Sequence, residues 1–352
     1  MPPFTLSFEQ PILELEQKLQ ELRRFSEEQS IDMTAEIARM EDKIRRLRRK
    51  IYSELTPWQK VQVARHPQRP YTRDYIQAIM TDFVELHGDR RYADDLAIVG
   101  GFATLRGRRI MVLGTQKGRD TKSNLQCHFG CPYPEGYRKA HRLMRLAAKF
   151  KLPIVSLVDT PGAYPGIDSE ERHIAEAIAV NLREMFRLPV PIVVAIIGEG
   201  GSGGALGIGV GDRVLIQEHA YYSVISPEGC AAILWKDRAY ADRAADVLKL
   251  TPNELLKFSL VDEIVPEPEG GAHRNPAEAA ELLANALVRS LSQLDVIPPA
   301  QLLEQRYQKF RRMGVFNETP TDSAAESEAA GSTSSQPAAS RSNPESSPES
   351  AH

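Results

Sequence analysis

The sequence predicts an α/β domain whose strands run into glycine-rich turns, and three observations carry that prediction. Pro191 to Ile197 is a short, apolar, β-branched run typical of strands covered on both faces, and it leads directly into Gly198-Glu199-Gly200-Gly201-Ser202-Gly203-Gly204-Ala205. Leu152 to Val158 repeats the arrangement earlier in the chain, ahead of Asp159-Thr160-Pro161-Gly162-Ala163-Tyr164-Pro165-Gly166. Between them, Ser169 to Arg187 reads as a helix, with Glu170 and Glu171 in its first turn and Arg183 and Arg187 towards its end, so strand, helix and strand form a crossover unit.

The other elements follow in chain order. Ile12, Leu15, Leu19 and Leu22, then Ile37, Met40, Ile44, Leu47 and Ile51, recur at helical spacing on either side of Ser30-Ile31-Asp32, which predicts a helical hairpin over Phe8 to Leu55. Its narrow apolar stripes fit packing on itself or on a partner. The basic run Arg45 to Lys50 reads as a solvated helix face balanced by Glu41, Asp42 and Glu54 rather than as a nucleic-acid patch. Thr56-Pro57 and Arg65-His66-Pro67-Gln68-Arg69-Pro70 break the chain after it. Tyr71 to Leu86 looks helical, ending at His87-Gly88. Ala97 to Thr104 and Arg109 to Thr115 read as strands joined through Arg106-Gly107-Arg108, and the second opens into Gln116-Lys117-Gly118-Arg119-Asp120. Pro134 and Glu135 lead into a helix from Gly136 to Lys151, and Arg213 to Gln217 is a further strand. The expected organisation is a hairpin over 1–55, an α/β body over 56–316 and a tail over 317–352.

Composition narrows the class. The 352 residues are 42% hydrophobic and 26% charged, an ordinary soluble balance. No apolar run reaches the ~18 residues of a membrane span, and the N-terminus resembles no secretory signal, so the expected location is the cytoplasm. Of the net charge of −3, the stretch from Glu318 to His352 holds −5 through six acids and Arg341, which leaves +2 on the rest. That Ser/Ala/Pro/Glu tail has no large apolar residue and is expected to be disordered. Three cysteines suit reduced thiols, and Cys127 and Cys131 lack the second Cys/His pair that a structural zinc site requires, so no metal is assigned to this chain.

The glycine run carries the chemistry. Main-chain N–H groups exposed where a helix begins can hold an anion or a developing oxyanion, each donor contributing roughly 2.7–4 kcal/mol in a transition state. Gly198-x-Gly200-x-x-Gly203 formally satisfies a dinucleotide fingerprint, but Ala205 to Gly211 is too short and glycine-rich for the helix that motif needs. No nucleophile elbow or Ser/His/Asp order surrounds the loop, which favours a substrate that brings its own base. The alternatives are close helix-on-strand packing for the glycines, local turn bonding for Asp159, and plain packing for Tyr164 instead of a pocket cap.

Both glycine-rich segments, together with Tyr222-Ser223-Val224-Ile225-Ser226-Pro227-Glu228-Gly229-Cys230, closely resemble the α subunit of the bacterial-type acetyl-CoA carboxylase carboxyltransferase. So do Ala64-Arg65-His66-Pro67-Gln68-Arg69-Pro70-Tyr71, Pro134 to Ala140, and Gly270-Gly271-Ala272-His273-Arg274-Asn275-Pro276, in register over about residues 5–314. The resemblance implies a crotonase-type (ClpP/crotonase-like) spiral of ββα units and an α2β2 heterotetramer with a β subunit that carries zinc and most acetyl-CoA contacts. It implies that carboxybiotin arrives on a biotin carboxyl carrier protein charged by an ATP-dependent biotin carboxylase, no cofactor being covalently bound by this chain. Gly203 and Gly204 are implied to hold the ureido oxygen while the carboxyl group passes to acetyl-CoA, giving malonyl-CoA for fatty acid synthesis. Gly200 and Gly201 are implied to leave room for the biotin ring, and Gly162, Ala163 and Tyr164 to face it. Lys117 and Arg119 are candidates for CoA phosphates, for acids on the partner, or for a solvated loop. A stand-alone crotonase-like hydratase or thioesterase, and a non-catalytic scaffold, are the competing classes.

Overall fold

Period-two alternation within the strands settles which residues face each side of the sheet. In the computed structural model, which describes residues 4–314, the chain opens with two long helices, α1 (Gln10–Gln29) and α2 (Thr34–Ser53), followed by α3 (Pro57–Ala64) and α4 (Thr72–Ile79). An antiparallel trio follows: β1 (Met80–Glu85), β2 (Ile98–Leu105) and β3 (Arg108–Thr115). Next come α5 (Thr121–Gln126), α6 (Pro134–Lys149), β4 (Ile154–Thr160), α7 (Ile167–Glu171), α8 (Ile174–Met185), β5 (Ile192–Gly201) and the short α9 (Ser202–Leu206). The remainder is β6 (Arg213–Gln217), β7 (Tyr221–Ser223), α10 (Pro227–Trp235), α11 (Ala241–Leu248), α12 (Pro252–Lys257), β8 (Glu263–Val265), α13 (Pro276–Asp295) and α14 (Pro299–Arg311).

The sheet order is β1-β2-β3-β4-β5-β6-β8, parallel from β3 onward, with β7 adding to the end of β5. Alternate residues supply two cores. Val155, Leu157, Val193 and Ala195 meet Leu283, Leu287 and Leu291 of α13, while Ile154, Val158, Ile192 and Val194 meet Leu143, Met144 and Ala147 of α6. Every residue of β4 and β5 is buried, as the unbroken apolar runs predict for strands covered on both faces.

Three elements differ from the sequence reading. The helix expected over Tyr71 to Leu86 stops at Ile79, and Met80–Glu85 becomes an edge strand on β2, its ladder shifted where Asp82 adopts φ 53°. Pairing with β2 outweighs helical spacing there. The helix expected over Ser169 to Arg187 is broken by His173 in the left-handed region (φ 64°). Finally, β5 continues through Gly198, Gly200 and Gly201, so the turn is compressed into Ser202.

α1 and α2 pack through Ile12, Leu15, Leu19, Met40, Ile44 and Leu47. Ion pairs tie them to the α/β body: the Glu9 carboxylate, which also accepts from Tyr52 of α2 (2.9 Å), accepts from Arg274 (3.2 Å), and Arg49 donates to Glu269 (3.0 Å). Within the basic run, Arg46 pairs with Asp42 (2.6 Å) and Arg48 with Glu16 (2.6 Å), so much of its charge is locally offset. The tail expected from residue 317 lies outside the described residues.

Candidate active site

The site is assembled where β4 and β5 end side by side. Their register shifts after Val158, bringing Thr160 opposite Gly200. A Cβ on Gly201 would fall 2.1 Å from the Pro161 carbonyl oxygen, and one on Gly204 would fall 2.3 Å from the Gly162 carbonyl carbon and 2.4 Å from the Ala163 nitrogen. The Pro161–Ala163 backbone therefore lies directly against the start of α9 only because both positions lack side chains. The structure thus brings Gly162 and Ala163 to Gly204. Tyr164 stands beside them, stacked on Tyr133 with ring centroids 4.3 Å apart.

Ser202 enters α9 at φ 49°, a conformation costly for a side-chain-bearing residue and characteristic of functional turns. Gly203 and Gly204 follow in the first helical turn, where amides have no intrahelical carbonyl to bond. Gly203 has room for a Cβ, which would meet Ile178 at an ordinary contact distance of 3.7 Å. Beside it lies an apolar cavity of about 470 Å³ lined by Ser202, Gly203, Leu206, Tyr222, Leu255 and Phe310. From behind, the Tyr137 hydroxyl donates to the Gly204 carbonyl (3.1 Å), Asn181 to that of Gly207 (2.9 Å), and Ser156 to that of Ile208 (2.7 Å). These bonds anchor α9 and the turn that follows it.

The space spared by Gly200 and Gly201 is taken by the chain itself. An added Cβ on Gly200 would meet the Tyr222 ring at 2.8 Å, and Pro161 fills the room beside Gly201. Lys117 turns inward, its ammonium 2.6 Å from Asp159 and 2.8 Å from Glu199. Arg119 caps the Tyr71 ring at 3.9 Å and bonds Asp74 and the Pro67 carbonyl. Both cations, read from the sequence as contacts for CoA phosphates or partner acids, are engaged by groups of their own chain.

Sequence reasoning missed the charged network beneath the glycines. Glu199, the one acid in the run, accepts from Lys117, from Arg65 (2.7 Å) and from the Tyr221 hydroxyl (2.6 Å), while Asp159 accepts the Glu199 amide (2.9 Å). Gly198 makes room for this, since a Cβ there would lie 2.5 Å from the Asp159 carboxylate. Burial pushes the Glu199 carboxyl upward, but Lys117 and Arg65 outweigh it and hold the group down at about 2. Against the same burial, Asp159 and Glu199 push Lys117 up, so it stays an ammonium. Deeper still, the fully buried Arg69 clamps Glu267 (2.5 Å) and donates to the Ile197 carbonyl (2.7 Å), fixing β5 just before its glycines. The only signal available in advance was a lone Glu among glycines.

The Cys127, Cys131 and Cys230 thiols are free, and burial pushes Cys131 up to about 11. Glu9, His66 and His273 offer ligand atoms within 4.8 Å of one another. Arg274 already neutralises Glu9, the two imidazoles stack at 3.9 Å, and the His66 Nδ1 accepts the Gln68 amide (3.2 Å), so this group serves as a latch for the N-terminal helices.

The fold defines a class: a crotonase-type α/β domain, here with a short glycine-flanked helix at the end of β5. Solved structures of that fold include the transcarboxylase 12S core with methylmalonyl-coenzyme A and methylmalonic acid bound (TM-score 0.52, 23% identity, 64% of this chain and 42% of that one). A Pseudomonas malonate decarboxylase hetero-tetramer in complex with coenzyme A is another (TM-score 0.53, 16% identity, 73% and 96%). The family described as acetyl co-enzyme A carboxylase carboxyltransferase-like matches residues 5–314. The acetyl-coenzyme A carboxylase carboxyl transferase subunit alpha of Dichelobacter nodosus is 55% identical over 316 residues, covering 90% of this chain and 99% of its own. That of Geobacter metallireducens is 56% identical over 315 residues, with the same coverage. The chain belongs to the acetyl-CoA carboxylase carboxyltransferase family, on its α-subunit side.

Proposed function

We propose that this chain is the α half of a carboxyltransferase that works with a β subunit to convert acetyl-CoA to malonyl-CoA, and that the amides of Gly203 and Gly204 are its oxyanion hole. The observation that carries the site reading is the entry into α9: two consecutive glycine amides in a first helical turn, held from behind by Tyr137 and Asn181, beside an apolar cavity. A biotin ureido group suits it, being a flat, mostly apolar ring with one strong acceptor oxygen. Bound carboxybiotin supplies CO2 together with a basic ring nitrogen, which accounts for a site that places no general base of its own. Gly203 and Gly204 hold the ureido oxygen and stabilise its developing negative charge. Gly162 and Ala163 back Gly204, Tyr164 forms a facing wall, and Gly200 and Gly201 set the close packing that shapes the turn. The Lys117–Glu199–Arg65 network keeps β5 straight beneath it.

The wider assembly belongs to the same proposal. A biotin carboxyl carrier protein delivers the group in the cytoplasm after a separate biotin carboxylase has charged it with ATP. Zinc resides on the β subunit, and the complex is α2β2. Residues 1–55 act as a hairpin attached to a catalytic body over 56–316, with a tail over 317–352. Among the described residues no helix is long and apolar enough to cross a membrane.

The test is carboxyl transfer in reverse, from malonyl-CoA to free biocytin, with this chain alone, with β alone and with the mixture. Activity confined to the mixture, and lost in Gly204→Val without loss of β binding, is the expected result. Turnover by this chain alone would instead favour a stand-alone crotonase-like enzyme. Wild-type turnover in Gly204→Val would remove the oxyanion hole from α9.

A further inference from the structure

A concentration of positive charge lies away from the glycine site. A cavity of about 670 Å³ between α6, α8 and the loop before β2 is lined by six arginines and Lys149 against only two acids, Asp89 and Glu176, on a chain whose net charge is −3. Asp89 is already spent on Arg138, 2.8 Å away. Arg90 and Arg142 donate to the His87 carbonyl at 2.8 and 3.0 Å, which holds their guanidinium groups in place without neutralising them. Arg91, Arg145 and Lys149 have no carboxylate partner among the described residues. Burial pushes the His141 imidazole below its ordinary range, Glu184 opposes that, and Arg145, Arg91 and the Glu184-paired Arg183 add to it.

Two buried polar atoms in this lining also lack partners: the His141 Nε2 and the Oδ1 of Asn181, a residue only 1% exposed. Both atoms are enclosed beneath the cavity surface, and the Asn181 Oδ1 is an acceptor that an anion's oxygen cannot satisfy, so it is the charge of the lining that recommends an anion. The volume lies within the range of small-molecule sites and exceeds what a single phosphate needs. Guanidinium forks match phosphate oxygens in pairs, a geometry that lysine-rich surfaces lack. Asn181 also holds the Gly207 and Tyr137 carbonyls, so the cavity floor is one side chain from α9.

We propose that this cavity is a binding site for a small polyphosphate anion, inorganic or carried on a nucleoside, with Arg91, Arg145 and Lys149 supplying the free charge. Calorimetric titration of the full chain with inorganic tripolyphosphate, at physiological ionic strength, is the test. One saturable site per chain is expected, and the double variant Arg91→Ala/Arg145→Ala should weaken it by at least roughly tenfold through loss of charge-assisted hydrogen bonds. Both residues are exposed and lack acidic partners, so the variant should keep the wild-type melting temperature. Arg45→Ala/Arg46→Ala, on the hairpin, removes equal charge and should bind as wild type does. An ADP arm separates the sources: tighter binding than tripolyphosphate assigns a nucleoside ligand, equal or weaker binding an inorganic one. Absence of saturable binding, equal weakening by both double variants, or tighter binding of a hexaglutamate peptide would overturn the proposal, the last in favour of an acidic protein face.

Discussion

Gly204→Ala is the most informative single change, because it alters one methyl group and leaves the amide in place. That methyl would lie 2.3 Å from the Gly162 carbonyl carbon and 2.4 Å from the Ala163 nitrogen, both main-chain atoms that cannot rotate away. Ordinary contact between such atoms is about 3.5–4.0 Å, so the two segments must part by more than about 1 Å. Overpacking on this scale costs typically about 1–3 kcal/mol of stability, which a domain of this size can absorb. Catalysis is far less tolerant, since a donor displaced from an oxyanion position forfeits roughly 2.7–4 kcal/mol, or about 10²–10³ in kcat. Gly203→Ala provides the contrast, because its methyl meets nothing closer than Ile178 at 3.7 Å. The assay is biocytin carboxylation by the reconstituted α/β mixture, with melting temperature recorded for each variant. Gly204→Ala should lose at least tenfold more kcat than Gly203→Ala while still binding β. Equal kcat in the two variants would refute the claim that close packing against Gly162 and Ala163 sets the position of the hole.

Lys117→Met should cost about 3–5 kcal/mol in urea unfolding, because it leaves the buried Asp159 carboxylate without its cation beside Glu199, which Arg65 still pairs, and adding Glu199→Gln should recover part of the loss. If the single variant is as stable as wild type, the network is not holding β5. Acid should weaken the fold in two windows. His66 is held down at about 4 by burial and by His273, against an ordinary value of 6.5, so the unfolded chain takes up its proton first and stability falls as pH drops from 6.5 towards 4. His66→Gln should flatten the melting-temperature profile in that window, and an unchanged slope would count against the latch. The Glu199 carboxyl, held at about 2 against an ordinary 4.5, contributes stability that is complete above about 4.5 and is lost as pH falls towards 2; Glu199→Gln should therefore remove part of the acid dependence below 4.5.

Local apolar pattern made β2 to β6 legible, most of all β4 and β5, which are apolar runs buried on both faces and preceded by a proline. The misread elements are those where a tertiary partner decided. Residues 80–85 carry apolar positions compatible with either helix or strand, and the open edge of β2 selected the strand. His173 breaks its helix in a left-handed conformation that no glycine or proline announced. The oxyanion candidates could be located because glycine density is a local feature, whereas the roles of Lys117 and Glu199 depend on Arg65, 134 residues before Glu199, and on Asp159 across the sheet. Burial inverted the reading of Lys117, since a lysine in a glycine-flanked loop looks solvated until the opposing acids are known.

The division of labour between glycines and charges follows from the same geometry. Four of the glycines along β5 and α9 let backbone, a carboxylate or a ring approach where any side chain would collide: Gly198 on Asp159, Gly200 on the Tyr222 ring, Gly201 on Pro161 and Gly204 on Gly162. Close approach alone would leave a pliable turn, because glycine costs the most entropy to order. The buried ion pairs supply the missing restraint: Arg69 fixes the Ile197 carbonyl and Lys117 and Arg65 fix Glu199, so the strand is held on both sides of Gly198. A variant that removes a glycine should therefore damage catalysis more than stability, and one that removes a charge should do the reverse. Measuring kcat and unfolding free energy together for Gly204→Ala and Lys117→Met tests this ordering directly, and parallel losses in both variants would mean that turn and network are not separable parts.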